Sequence, residues 1–163
     1  MRRLGLLLAA TALQLPLAAG AVSPEKFRAE REAFKAAYAD AEAGRPLPEG
    51  ELLDRLGGYV LYPYIEAAQV RALLRQGGAA ADAAAKRFLE RHGAEPFARP
   101  VRRAWLDSLA SRRRWNEYLE VFATARAVDQ TLRCQALEAR IALGRLDGLV
   151  EAATAEWLTG TSA

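Results

Sequence analysis

Two groupings in this chain have side chains suited to chemistry. The first is Glu66, just after Tyr62-Pro63-Tyr64 in the stretch YVLYPYIEAAQV. General acid–base hydrolysis of a glycoside needs a carboxyl in a setting that raises its pKa, with a second carboxyl or a substrate group opposite. The second is the run SRRRW, residues 111–115. Guanidinium forks such as Arg112 and Arg113 can take the carboxylates of an anionic polymer in bidentate fashion. Each grouping also has a plainer meaning. Glu66 lies beside an apolar stripe and has no expected partner carboxyl, and an arginine run most often marks a solvated turn. Tyr62 and Tyr64 either pack a rigid corner or line a groove that contacts a ligand.

Other reactive arrangements are missing. The remaining acids, among them Glu30, Glu32, Glu90, Glu117 and Glu138, alternate with arginines on expected outer helix faces, where i,i+4 pairing accounts for them. No G-x-S-x-G occurs, and Gly57-Gly58 and Gly77-Gly78 lack the flanks of a phosphate-cradling loop. One histidine, His92, and one cysteine, Cys134, are too few for a metal site. His92 reads as a helix-ending residue. The sequence therefore implies no catalytic residue, metal or cofactor.

The elements that position these residues are helical almost throughout. Ser23 reads as an N-cap with Pro24 at the first helical position, and the following helix sets Phe27, Phe34, Tyr38 and Ala41 on one stripe before Gly44. The segment EGELLDRL stops at Gly57-Gly58. Pro63 marks a helix start, with Tyr62 pushed toward extended geometry and Leu61, Ile65, Ala68, Ala72 and Leu73 facing inward. Ala81, Ala84, Ala85, Phe88 and Leu89 repeat at i, i+3, i+4, i+7, i+8. So do Val101, Ala104, Trp105, Ser108 and Leu109, and then Trp115, Tyr118, Leu119, Phe122 and Ala123. Leu132, Ala136, Ala139 and Leu143 form the next stripe, and Leu146, Leu149, Val150, Ala153 and Trp157 the last. About eight helices of 8–20 residues, with short Gly/Pro turns and pairs recurring roughly every thirty residues, predict an all-α fold. The expected architecture is an α-superhelix, a solenoid of short antiparallel helix pairs. It resembles tetratricopeptide repeats only loosely, since WNEY opens like that consensus but the Gly and Pro positions do not follow.

Residues 1–21, MRRLGLLLAATALQLPLAAGA, carry two arginines, a short apolar run and an A-x-A site at Ala19 and Ala21. This is the layout of a cleaved secretory signal, too short for a stable membrane span. Residues 22–163 then form the helical domain. The other reading retains residues 4–19 as an anchor, which makes the chain a membrane-anchored scaffold. Cleavage removes Arg2 and Arg3 and no acid, so Lys+Arg falls from 23 to 21 against 20 Asp+Glu, a net charge of +1. That balance gives no support for a nucleic-acid partner. An unpaired cysteine is unusual in an oxidising compartment, which points to a partner for Cys134 elsewhere. The alternative is a buried thiol acting as a small hydrophobe.

Three ordered blocks carry a resemblance. YVLYPYIEAAQV, RRAWLDSLASRRRWNEYLEVF and LRCQALEARIALGRLDGLVEAATAEWLTGTSA are similar to the N-terminal segments of the soluble lytic murein transglycosylases of Gram-negative periplasms. The resemblance runs from about residue 24 to residue 163. It implies a helical superhelix joined to a C-terminal lysozyme-like domain that cleaves the MurNAc–GlcNAc bond of peptidoglycan to 1,6-anhydro products. The family's catalytic E-S dipeptide and G-L-M-Q motif are absent here, since no Glu precedes Ser and Met1 is the only methionine. The resemblance therefore implies a periplasmic scaffold region, non-catalytic alone, whose partners are peptidoglycan and its own catalytic domain. It also implies a disulfide partner for Cys134 beyond residue 163. Tyr62, Tyr64, Arg112 and Arg113 are the expected substrate contacts. The competing expectation is a stand-alone tetratricopeptide-like adaptor that binds a protein partner in its groove.

Overall fold

The computed structural model describes residues 24–126 and 128–160. The expected export signal and the Ser23 cap lie outside them. Among the described residues the chain is all-α. Eight α-helices succeed one another: α1 (Pro24–Glu42), α2 (Gly50–Leu56), α3 (Tyr62–Gln76), α4 (Ala79–His92), α5 (Arg99–Ser111), α6 (Trp115–Ala123), α7 (Gln130–Ala142) and α8 (Leu149–Gly160). A 3-10 turn at Pro96–Ala98 precedes α5. No described helix is long and apolar enough to cross a membrane.

The boundaries follow from local backbone chemistry. Prolines occupy the first turns of α3 and α5, where no N–H is needed. Gly77 and Gly78 reverse the chain between α3 and α4 at φ +75° and +96°, values that residues with a Cβ rarely adopt. Asp129 caps α7 by accepting the Leu132 N–H at 3.0 Å, which satisfies an otherwise orphaned donor. Tyr62 departs from expectation. It is the first residue of α3, and its N–H is bound to the Tyr59 carbonyl at 2.8 Å, so a turn rather than an extended connector leads into the helix.

Three hydrophobic clusters form along the chain. Ala37 and Ala41 of α1 pack with Leu56, Ile65 and Ala68. Val70 and Leu74 of α3 join Ala81, Ala85, Phe88 and Val101. Leu106 and Leu109 of α5 join Tyr118, Val121, Leu132 and Ala136. Burial of a single side chain such as Phe88 contributes about 1.5–3 kcal/mol. α3 and α5 thus serve two clusters each. One stripe per helix misses part of their buried surface: Ala67, Val70, Leu74 and Leu106 are all buried.

Three stripes differ from expectation. In α1 Phe27 is 49% exposed, and Leu61, just before α3, is 36% exposed. In the last helical segment the expected inward residues face outward: Leu146 is 60% exposed, Val150 75% and Trp157 70%. α8 is held to α7 by polar contacts instead, with Glu156 accepting from Arg133 Nε at 2.7 and 2.8 Å.

Candidate functional site

The Tyr62-Pro63-Tyr64 corner sits at the start of α3, and its two rings diverge. Tyr62 is half-buried against the α1–α2–α3 cluster. Burial, reinforced by the Glu66 carboxylate, pushes its phenol above the ordinary range. Tyr64 is 41% exposed and lies against Phe97 with ring centroids 5.0 Å apart. Phe97 continues the aromatic surface to His92 at 5.5 Å, and His92 continues it to Phe88 at 5.0 Å.

Glu66 stands one helical turn after Tyr62, and the fold brings it to the end of α4. Its Oε1 accepts from both terminal nitrogens of Arg91 at 3.3 Å, and its Oε2 lies 3.6 Å from His92 Nε2. The lone histidine does end a helix, as expected, and it also meets the one acid that the sequence sets apart. A cleft of ≈220 Å³ opens beside this group, bordered by Leu47, Gln69, Arg87 and Arg91, and Glu66 is the only carboxylate among its described walls. A glycosidase acid has a second carboxyl roughly 5–9.5 Å away. Here the neighbours are a guanidinium and an imidazole, an arrangement suited to polar recognition.

Arg112 and Arg113 lie at the far end of α5. Arg112 is half-buried and committed within the chain: Nη1 and Nη2 donate to Asp82 at 3.0 and 2.6 Å, and Nε donates to the Ser108 carbonyl at 3.0 Å. Trp105 Nε1 donates to the same Asp82 at 2.9 Å. The Arg112 hydrogen bonds hold the Asp82 carboxyl below the usual carboxylate range, although burial opposes them. Asp82 carried no signal in the sequence, because nothing local distinguishes it from other helical acids. Arg113 is exposed and takes φ +55°, the left-handed position that ends α5. Arg112 packs beside Gly77 at the C-terminal end of α3, whereas the tyrosines mark its N-terminal end. At 1.5 Å per residue, the two pairs stand roughly 20 Å apart along α3. The fold therefore separates the four candidate contacts into two patches.

Glu90 and Glu117, expected on outer faces, border one groove of ≈470 Å³ between α4, α5 and α6, together with Trp105, Lys86 and Arg102. Cys134 is free and exposed on α7, which overturns the buried-thiol alternative. Among the described residues no cluster of three or more His, Cys, Asp or Glu has the arrangement of a metal site.

No protein-family model, no curated protein and no solved structure matches this chain.

Proposed function

We propose that the chain is the N-terminal α-superhelical region of a periplasmic soluble lytic transglycosylase. It is an exported scaffold, non-catalytic alone, that helps a lysozyme-like catalytic domain engage murein. The reading rests on the three ordered sequence blocks, and the order of helix packing supports its helical part. α3 lies on α1 and α4, α5 on α3 and α6, and α7 on α6 and α8. Each helix pair leaves a face for its successor, which is how a solenoid grows.

The outward stripe of Leu146, Val150 and Trp157 supports the same reading, because a following helix pair or the catalytic domain would cover it. The Tyr64–Phe97 surface offers aromatic faces to sugar rings, and Arg113 offers a charge to stem-peptide carboxylates. On this reading Cys134 pairs with a cysteine in the remainder of the enzyme.

The purified chain is tested on a peptidoglycan gel and by co-sedimentation with insoluble sacculi. The expected result is sedimentation without clearing. A cleared band overturns the non-catalytic claim, and a chain left wholly in the supernatant overturns murein engagement. Strong hydrogen-exchange protection throughout α8 would favour the stand-alone adaptor instead, because a helix that awaits a neighbour exchanges readily.

A further inference from the structure

Four arginines meet beside the start of α5. Arg99, Arg102 and Arg103 come from α5 and Arg126 from the α6–α7 connection, and all border one cavity of ≈240 Å³. Arg103 is already matched: its Nε donates to Asp107 at 3.0 Å and its Nη1 to Asp129. The other three are not. Among the described residues neither Arg99 nor Arg126 has a carboxylate partner. Arg102 donates from Nη2 to the Gly93 carbonyl at 3.1 Å, while its buried Nε–H has no acceptor. Elsewhere in the fold Arg91, Arg112 and Arg133 all sit on carboxylates of the chain itself. Arg87, beside the Glu66 cleft, also stands outside any ion pair of the described residues, but at this cavity three such arginines gather, and its one wall carboxylate, Asp129, is bound to Arg103.

Burial and the neighbouring Arg126 push the Arg102 guanidinium below its ordinary pKa. An added cation is disfavoured there, and an anion would relieve the repulsion. Size and lining narrow its identity. At ≈240 Å³ the cavity falls below the roughly 300–1,000 Å³ of sites that enclose drug-sized molecules, so it takes a terminal group rather than a whole nucleotide or oligosaccharide. Pro100, Leu106 and Val128 supply apolar wall, which a bare inorganic ion would leave uncovered. Planar guanidinium forks match a planar carboxylate.

We propose that Arg99, Arg102 and Arg126 bind the carboxylate of a small aliphatic acid, such as a peptide C-terminus ending in a small residue, with its aliphatic body against Pro100, Leu106 and Val128. This site is distinct from both patches described above and does not depend on the murein reading.

N-acetylalanine is the probe, titrated into the full chain at low ionic strength and followed by backbone amide shifts. Saturable shifts are expected at residues 99–103 and 125–132. The neutral N-acetylalanine amide should leave them unmoved. Arg126→Gln should weaken binding at least tenfold with an unchanged helical circular dichroism spectrum, and Arg99→Gln provides the same test if that variant folds poorly. Arg55→Gln, a change at an exposed arginine of α2 outside the cavity, should leave the affinity unaltered. Equal binding of the amide, tighter binding of inorganic phosphate, or equal weakening by Arg55→Gln would each overturn the proposal.

Discussion

Arg112 grips Asp82 through two hydrogen bonds, of 2.6 and 3.0 Å, and so fastens the end of α5 to the first turn of α4. The contact spans thirty residues of sequence and joins helices of neighbouring pairs. Its carboxylate is also the acceptor for Trp105, which packs against both the second and the third hydrophobic cluster.

Asp82→Asn should therefore destabilise the fold by about 1.5–3 kcal/mol, the range for hydrogen bonds to charged groups. The sign of the pH dependence follows from the lowered Asp82 pKa. The stabilisation is complete above the unfolded carboxyl range, about pH 4, and is lost as pH falls through the folded value. Urea unfolding at neutral and acidic pH checks both parts: the variant should lose stability at pH 7 and show a flatter acid limb.

Arg113→Gly separates a binding role from a structural one. A side chain at φ +55° costs roughly 1–2 kcal/mol, and the greater freedom of glycine in the unfolded chain offsets about 0.4–1 kcal/mol of the relief. The variant should be more stable by between about 0 and 1.6 kcal/mol. Its co-sedimentation with sacculi should fall if the exposed guanidinium touches the polymer. Stability raised with sedimentation unchanged removes Arg113 from the list of contacts.

Tyr118 is fully buried, and its hydroxyl donates to the Leu132 carbonyl at 2.8 Å, with Gln135 Oε1 at 3.2 Å. Tyr118→Phe should cost about 0.5–1.5 kcal/mol by removing this buried hydrogen bond, because the Leu132 carbonyl, inside α7, still accepts a helical N–H. Burial pushes the phenol far above its ordinary value. The folded state thus keeps a proton that the unfolded chain releases near pH ~10, and stability declines as pH rises past that point. The phenylalanine variant should show a shallower alkaline decline in thermal melts.

Trp157→Ser and Phe88→Ala should behave oppositely. Trp157 is 70% exposed and Phe88 1%. Removing the first should change stability by less than about 0.5 kcal/mol while lowering any concentration-dependent self-association seen by sedimentation velocity. Removing the second opens a cavity in the α3–α4–α5 cluster and should cost about 3–5 kcal/mol.

The sequence by itself determined the helical class, because glycines and prolines punctuate it at spacings that only short helices fit. It also determined single stripes, such as Ala81, Ala85 and Phe88, where a helix has one buried face. It could not determine the second faces of α3 and α5. Apolar residues on two sides of a helix blur the 3.6-residue period that reveals one side. Nor could it tell that Leu146, Val150 and Trp157 face outward from the described residues, because an apolar stripe has the same pattern whether or not a neighbour meets it.

The polar groupings were decided by tertiary structure alone. Glu66 meets His92 at 3.6 Å and Asp82 meets Arg112 at 2.6 Å across 26 and 30 residues of chain. The unmatched arginines at 99, 102 and 126 gather only once α5 and the α6–α7 connection pack together. Periodicity records which way a side chain points along its own helix. Which charge it faces depends on where the next helix lies, and only the packed chain fixes that.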